Sequence, residues 1–403
     1  MYLRTDLLDV FCYVEFLKKN NKKVCVLKSL SLQFKTALYA SAFSVLALQV
    51  NSPASAFEQV DAKQAFQHSY KAYETANADA STPNSVLQEL AFEAYIAGRD
   101  YFGSEHLNTA NLALNYLFLL KPKERVSEQA HALAALVVRI YQREYDASAI
   151  ELLEPLLLAF ETMPSAKDEQ ISQYEIAITE VFVAQEAAHP GVVLAVKTAM
   201  AKAFLRLNQS RPALWSSLYD AYLERNGADH VLTVTSAFYA AMEDAGEGDV
   251  DDAIEKLEQV VAVDALGRAA VSQLQLAANH RLVAFYANQK DEDAVDRSLA
   301  RIAEMSAELG VESTNEVVYR VNPSYPKEHL RSDEGGHVKL KFDINTSGRT
   351  ENIRIESESA PEFGREGLKA LSKWLYVPAY ENGQPVKVKD ETVQLDFSIQ
   401  KSN

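Results

Sequence analysis

The chain has 403 residues, with 40 basic against 56 acidic side chains and a formal net charge of −16. That balance argues against nucleic acid or anionic lipid as a partner. The two cysteines, Cys12 and Cys25, both precede residue 57, so the rest of the chain holds no disulfide framework and no cysteine-based chemistry or metal site.

Residues 1–56 have the make-up of an export signal. Ala37–Val50 is an apolar run, preceded by Lys28 and Lys35 and followed by Pro53-Ala54-Ser55-Ala56. The last three form an Ala-x-Ala site, to be cut between Ala56 and Phe57. A spanning helix needs about 20 apolar residues, so the run fits a signal core better than an anchor. The stretch before Leu27, with Lys18, Lys19, Lys22 and Lys23, reads either as a long basic leader or as a start of translation placed too early.

From about Ala65 to Leu309 the chain is rich in Ala, Leu, Glu and Gln, poor in Gly, and carries the whole acidic excess. It reads as consecutive helices, with solubility as the plain account of its charge. Gly103-Ser104-Glu105-His106-Leu107-Asn108-Thr109 recurs as Gly227-Ala228-Asp229-His230-Val231-Leu232-Thr233, with a weaker echo at His189-Pro190. A unit of roughly 40 residues suits a solenoid of helix pairs. These units resemble tetratricopeptide-like repeats, which implies a concave surface suited to a protein partner of unknown identity. His106, His189 and His230 are expected to mark helix starts. One repeat apart, they cannot share a metal ion whose ligand bonds are about 2 Å. Ala130, Ala213, Ala253 and Ala294 are expected where helices pack closely, and Tyr101, Tyr116, Phe118, Tyr219 and Tyr222 in the core.

The last stretch, Tyr319 to Ile399, changes character. Val338, Leu340, Phe342 and Ile344 alternate with polar residues, the mark of a strand with one buried face. Asn345-Thr346-Ser347-Gly348 is a turn with Gly348 suited to a positive φ. Ile353 and Ile355 alternate in a second strand. A helix follows, with Ser359 as its cap and Pro361 in its first turn. Phe363, Leu368, Leu371, Trp374 and Leu375 fall at helical spacing, and Pro378 ends it. Asn382-Gly383 is a turn, and Val393, Leu395, Phe397 and Ile399 form a final strand. Trp374 is expected as a core anchor.

This order of motifs resembles the C-terminal domain of the TonB family: Asn322-Pro323-Ser324-Tyr325-Pro326, then Gly336 to Ile344, Ser347-Gly348-Arg349, Trp374-Leu375-Tyr376-Val377-Pro378 and Val393 to Phe397. The resemblance covers about a fifth of the chain. It implies a ββαβ module with Gly336, Phe342, Gly348, Trp374, Pro378, Leu395 and Phe397 as its structural core. It also implies a recognition edge over Thr392 to Ile399, where a partner's extended segment adds a strand. Thr392, Gln394, Asp396 and Ser398 would meet that partner, with Pro323, Tyr325 and Pro326 nearby. His329 stands where the family has a small residue, and Tyr376 where it has Phe. The energy-transducing members keep an N-terminal membrane helix bearing a motor-engaging histidine. Here the first histidine is His68, and no Pro-rich spacer crosses the middle.

The expected architecture is therefore an α+β multidomain chain: an export segment (1–56), a helical repeat domain (57–310) and a TonB-like domain (311–403). No phosphate loop, metal-spaced motif or nucleophile elbow is present, so neither an enzyme nor a cofactor is expected. The expected role is a periplasmic adaptor binding an outer-membrane transporter or a Ton-system component. Two other readings stand beside it: an inner-membrane-anchored energy transducer, and a structural envelope protein that forms a homodimer through its β module.

Overall fold

Good helix formers dominate the middle of the chain, and helices fill it. The computed structural model describes residues 53–398 apart from 212, 265–267, 310–315, 333–334 and 382–383. The apolar run Ala37–Val50 and Ile399 lie outside the described residues. Ala56 and Phe57 fall within the backbone of the first described helix. Among the described residues no helix is long and apolar enough to cross a membrane.

The fold divides into two units at Ser210 and Arg211. In the first, α1 (Pro53–Ala78), α2 (Asn84–Phe102) and α3 (Leu107–Leu119) pack each on the next. A short α4 (Pro122–Arg125) leads to α5 (Glu128–Glu144), which packs on α3. Then come α6 (Leu153–Thr162), α7 (Asp168–Gln185) and α8 (Pro190–Arg206). Helix α6 is buried nearly all round, from Leu153 through Phe160, as a helix apolar on every face must be. Its last carbonyls are met from α8: the Arg206 guanidinium donates to Met163 O at 2.6 Å and Glu161 O at 3.1 Å. A helix end would otherwise leave those acceptors orphaned.

The second unit begins with α9 (Leu214–Asn226), α10 (Val231–Glu247), α11 (Val250–Ala262), α12 (Ala269–Gln289) and α13 (Glu292–Leu309), again packed in sequence, with α10 also against α12. The repeated Gly-x-x-His-x-x-Thr motif is the device that turns one helix into the next. Gly103 and Gly227 end α2 and α9 with φ of 96° and 81°. His106 and His230 then cap α3 and α10, each ring Nδ1 accepting from the backbone N–H two residues on, at 3.1 and 3.2 Å. His189 precedes α8 without a side-chain cap.

Ala130, Ala253 and Ala294 are buried as expected. Ala213 is not: it is exposed, with φ of 60°, just before α9. The start of that helix is served from α10, where the Glu243 carboxylate accepts from Trp215 N (3.0 Å) and Ser216 N (3.3 Å). Of the five aromatics expected in the core, Tyr222 is buried and Tyr101, Tyr116, Phe118 and Tyr219 are half-buried.

The same unit ends in the small sheet domain. Its elements are β1 (Val317–Tyr319), α14 (Lys327–Ser332), β2 (Gly336–Ile344), β3 (Thr350–Glu358), α15 (Pro361–Leu371), β4 (Leu375–Tyr376), β5 (Ala379–Glu381), β6 (Gln384–Val386) and β7 (Val388–Phe397). The main sheet has the order β3-β2-β7, antiparallel throughout, and α15 packs on β2 and β3. Val338, Leu340, Phe342 and Ile344 are buried together with Phe363, Leu371, Trp374, Tyr376 and Phe397. Each large side chain so buried contributes about 1.5–3 kcal/mol. Gly367 lets the helix sit close, since a Cβ there would lie 2.5 Å from Val338 Cγ1.

Two local expectations are corrected. Ser359 does not cap α15; its Oγ accepts from His337 N at 2.8 Å, and Ala360 is the residue before the helix. The helix stops at Leu371, and Leu375 belongs to β4, which pairs with β1. Trp374 is buried in the turn between them, its Nε1–H donating to Val321 O at 2.9 Å. Asn382-Gly383 lies outside the described residues, between the paired strands β5 and β6.

Candidate partner-binding edge

Strand β7 pairs with β2 on one side, and among the described residues no strand pairs with the other. Which of its backbone groups face outward follows from β2. His337 directs both its backbone groups at Ser359, beyond the end of β3: its N–H goes to Ser359 Oγ and its C=O accepts from Ser359 N at 3.0 Å. Backbone direction alternates along an antiparallel strand. The groups of Gly336, Val338, Leu340 and Phe342 therefore face β7. Their register partners Phe397, Leu395, Val393 and Glu391 are the bonded ones. The N–H and C=O of Thr392, Gln394 and Asp396 are left directed out of the sheet.

Side chains follow the same alternation. Val393 and Leu395 are half-buried and Phe397 buried on the helix side, while Thr392, Gln394 and Asp396 are exposed on the other face. Gln394 Nε2 donates to Asp396 Oδ1 at 2.8 Å. Ser398 is exposed just past the strand.

Tyr325 marks the C-terminal end of this edge. Its ring meets Phe363 and Phe397 edge-on at 6.0 and 5.9 Å, Pro326 is buried and Pro323 half-buried. His329 stacks on Phe363 at 4.6 Å with Nε2 3.4 Å from Glu362 Oε2. The structure thus brings Tyr325 to Phe397 and its neighbours Asp396 and Ser398. Thr392 lies about 16 Å further along the strand at 3.3 Å per residue.

The other end of the edge is shaped by a bulge that period-two reading missed. Asp390 has φ of 64° where the β2–β7 register shifts, and its N–H donates to Asp343 Oδ1 at 3.0 Å. Asn352, with φ of 52° in β3, donates to Asp343 Oδ2 at 2.8 Å. One carboxylate thus ties irregularities in both flanking strands. Those two hydrogen bonds, the backbone one first, hold the Asp343 carboxyl below its ordinary range. Asp390 in turn meets Lys341 at 2.9 Å and Arg354 at 2.7 Å, and both contacts hold its carboxyl down. The only sequence sign is the broken alternation at Lys387-Val388-Lys389-Asp390.

The opposite edge, β3, is a different surface. It carries Glu351 paired to Lys387, Glu356 paired to Lys339, Arg354 and two register shifts. Charges and bulges are how sheets discourage unwanted strand pairing. From Thr392 to Asp396, by contrast, β7 carries a single charged side chain, that of Asp396. No group of three or more His, Cys, Asp and Glu side chains fit for a metal ion occurs among the described residues.

Residues 321–399 match the family model of the Gram-negative bacterial TonB protein C-terminal domain. Protein TonB of Salmonella typhimurium is 40% identical over 67 residues, which are 16% of this chain and 26% of that protein. Protein TonB of Escherichia coli K12 is 34% identical over 82 residues, 20% of this chain and 34% of that protein. A solved structure of the TonB2 protein from Vibrio anguillarum is 33% identical and covers 22% of this chain and 86% of its own, with a TM-score of 0.19. The matched part spans about a quarter to a third of the TonB proteins' length.

Proposed function

We propose that this chain is an exported, non-catalytic adaptor that acts in TonB-dependent transport across the outer membrane. Its sheet domain takes an extended segment of an outer-membrane transporter, or of another Ton-system component, as an added strand along β7. The carrying observation is the open edge itself, with three residues whose backbone N–H and C=O groups point outward, within a segment matching the TonB C-terminal domain. Added strands gain affinity from main-chain hydrogen bonds and selectivity from alternate side chains. Tyr325, Leu395 and Phe397 give the apolar side of such a groove; Thr392, Gln394 and Asp396 give the polar one. The helices before the sheet domain form a repeat array that docks a second protein of the envelope. Cleavage between Ala56 and Phe57 releases the chain to the periplasm.

The test is photo-crosslinking in the living envelope, with a photoreactive residue at Thr392 or Asp396 and, as control, at Arg354 on the opposite edge. Adducts with an outer-membrane transporter or Ton-system protein from the first two positions only are the expected result. Equal adducts from Arg354, or none from Thr392 and Asp396, overturn the reading. A homodimer adduct favours the structural alternative. N-terminal sequencing of the same material should find Phe57. An intact leader recovered with the inner membrane would favour an anchored energy transducer.

A further inference from the structure

The sheet domain is held against the last two helices by a second contact surface, apart from β7. Strand β1 packs on α12, and the Tyr319 hydroxyl donates to Asn288 Oδ1 at 2.8 Å. Arg349, in the turn between β2 and β3, places one guanidinium nitrogen on Asp296 Oδ1 and another on Glu292 Oε2. Glu292 and Asp296 are four residues apart, so they project from one face of α13. They occupy its first turns, where carboxylates are also favoured by the helix dipole.

Arg349 is fixed before it reaches them. Its N–H donates to Asn345 Oδ1 at 3.0 Å, its C=O accepts from Asn345 N at 2.8 Å, and it bridges Leu375. The neighbouring Gly348 C=O accepts from Tyr376 N at 2.8 Å. β1 and β4 pair beside this turn. The two points that touch the helices, Tyr319 and Arg349, thus stand on one rigid corner of the sheet domain.

We propose that this corner is an electrostatic latch: Glu292 and Asp296 of α13 form a docking site for the Arg349 turn, and the ion pair fixes the direction in which the helices present β7. The planar guanidinium serves two carboxylates at once, which a lysine ammonium cannot do with the same geometry. The pair is partly exposed, with Arg349 at 27% and the carboxylates at 72% and 48%, so salt weakens it. The latch concerns contacts within residues 211–398 alone and stands whether or not β7 binds a partner.

The experiment is a pair of spin labels on the full chain, at Asp252→Cys on α11 and Lys373→Cys after α15, with Cys12 and Cys25 changed to Ser. At low salt one narrow distance distribution is expected. Arg349→Glu should widen it at least twofold, Arg349→Lys by less, and the swap Arg349→Glu with Glu292→Arg and Asp296→Arg should restore it. Molar salt should widen the unmodified distribution without any substitution, a readout that does not depend on a variant folding. A distribution unchanged in Arg349→Glu and in molar salt, or one not restored by the swap, overturns the latch.

Discussion

Proline at Gln394 separates the edge from the fold. Gln394 pairs with Lys339 in a position whose N–H faces away from β2, so proline there removes no bond of the sheet's own ladder. Edge strands tolerate proline for that reason. A partner strand would lose one main-chain hydrogen bond, about 0.5–1.5 kcal/mol net, and would bury an unmatched carbonyl at about 1–3 kcal/mol. Together these weaken binding by about 1.5–4.5 kcal/mol, or roughly tenfold to two-thousandfold. Gln394→Ala keeps the N–H and should bind within about threefold of the original, since only an exposed side chain is lost. Titration calorimetry against a peptide from the periplasmic end of the crosslinked transporter measures the difference. Thermal melting by circular dichroism checks that both variants fold. A folded Gln394→Pro variant that binds as tightly as Gln394→Ala would refute the edge model.

Other outcomes follow from the packing. Gly348 has φ of 80°, and a Cβ there would lie 2.1 Å from Tyr376 O; Gly348→Ala should cost about 1–2 kcal/mol for the left-handed backbone alone. That lowers the melting temperature of the second unit by about 2–8 °C, and an unchanged melt would contradict the geometry. His106→Ala should lower stability by about 0.5–2 kcal/mol, the usual cost of a lost cap, with His106→Asn close to the original in urea titration. Asp343 has its folded pKa depressed, by the Asp390 N–H first and Asn352 second. Its contribution is present above the ordinary carboxylate pKa and is lost as pH falls through the depressed value. The urea midpoint should therefore drop on acidification below about pH 4, and the drop should be shallower in Asp343→Asn.

The sheet domain was legible where the signal is local. β2 shows strict alternation because one face meets the core and the other water, and its four apolar residues are all buried. The Asn345–Gly348 turn announces itself by composition. The errors share a different cause. Trp374 and Leu375 continue the helical spacing because both must be buried, yet β4 exists only because β1, more than fifty residues earlier, supplies a strand to pair with. Ser359 resembles a helix cap in every local respect; the competing donor is the His337 N–H, placed beside it by strand pairing. The Asp343 tie between two bulges is invisible for the same reason. Periodicity reports which face is buried and says nothing of which distant backbone group claims a side chain.

The histidine motif shows the converse, a sequence signal strong enough to suggest chemistry that resolves into backbone geometry. In its first copy Gly103 turns the chain, His106 caps α3, and Thr109 Oγ1 closes back on Gly103 O at 2.7 Å. In the second copy Gly227 and His230 repeat the turn and cap, but Thr233 Oγ1 is buried with no hydrogen-bond partner among the described residues. The glycine and histidine perform the same local task twice, whereas the threonine's bond depends on how each pair of helices closes. Repetition here marks a recurring turn from one helix into the next. The candidate recognition edge at Thr392, Gln394 and Asp396 is unrepeated and chemically plain. Its signal lies in the direction of three backbone groups, which becomes readable only when the strand order is known.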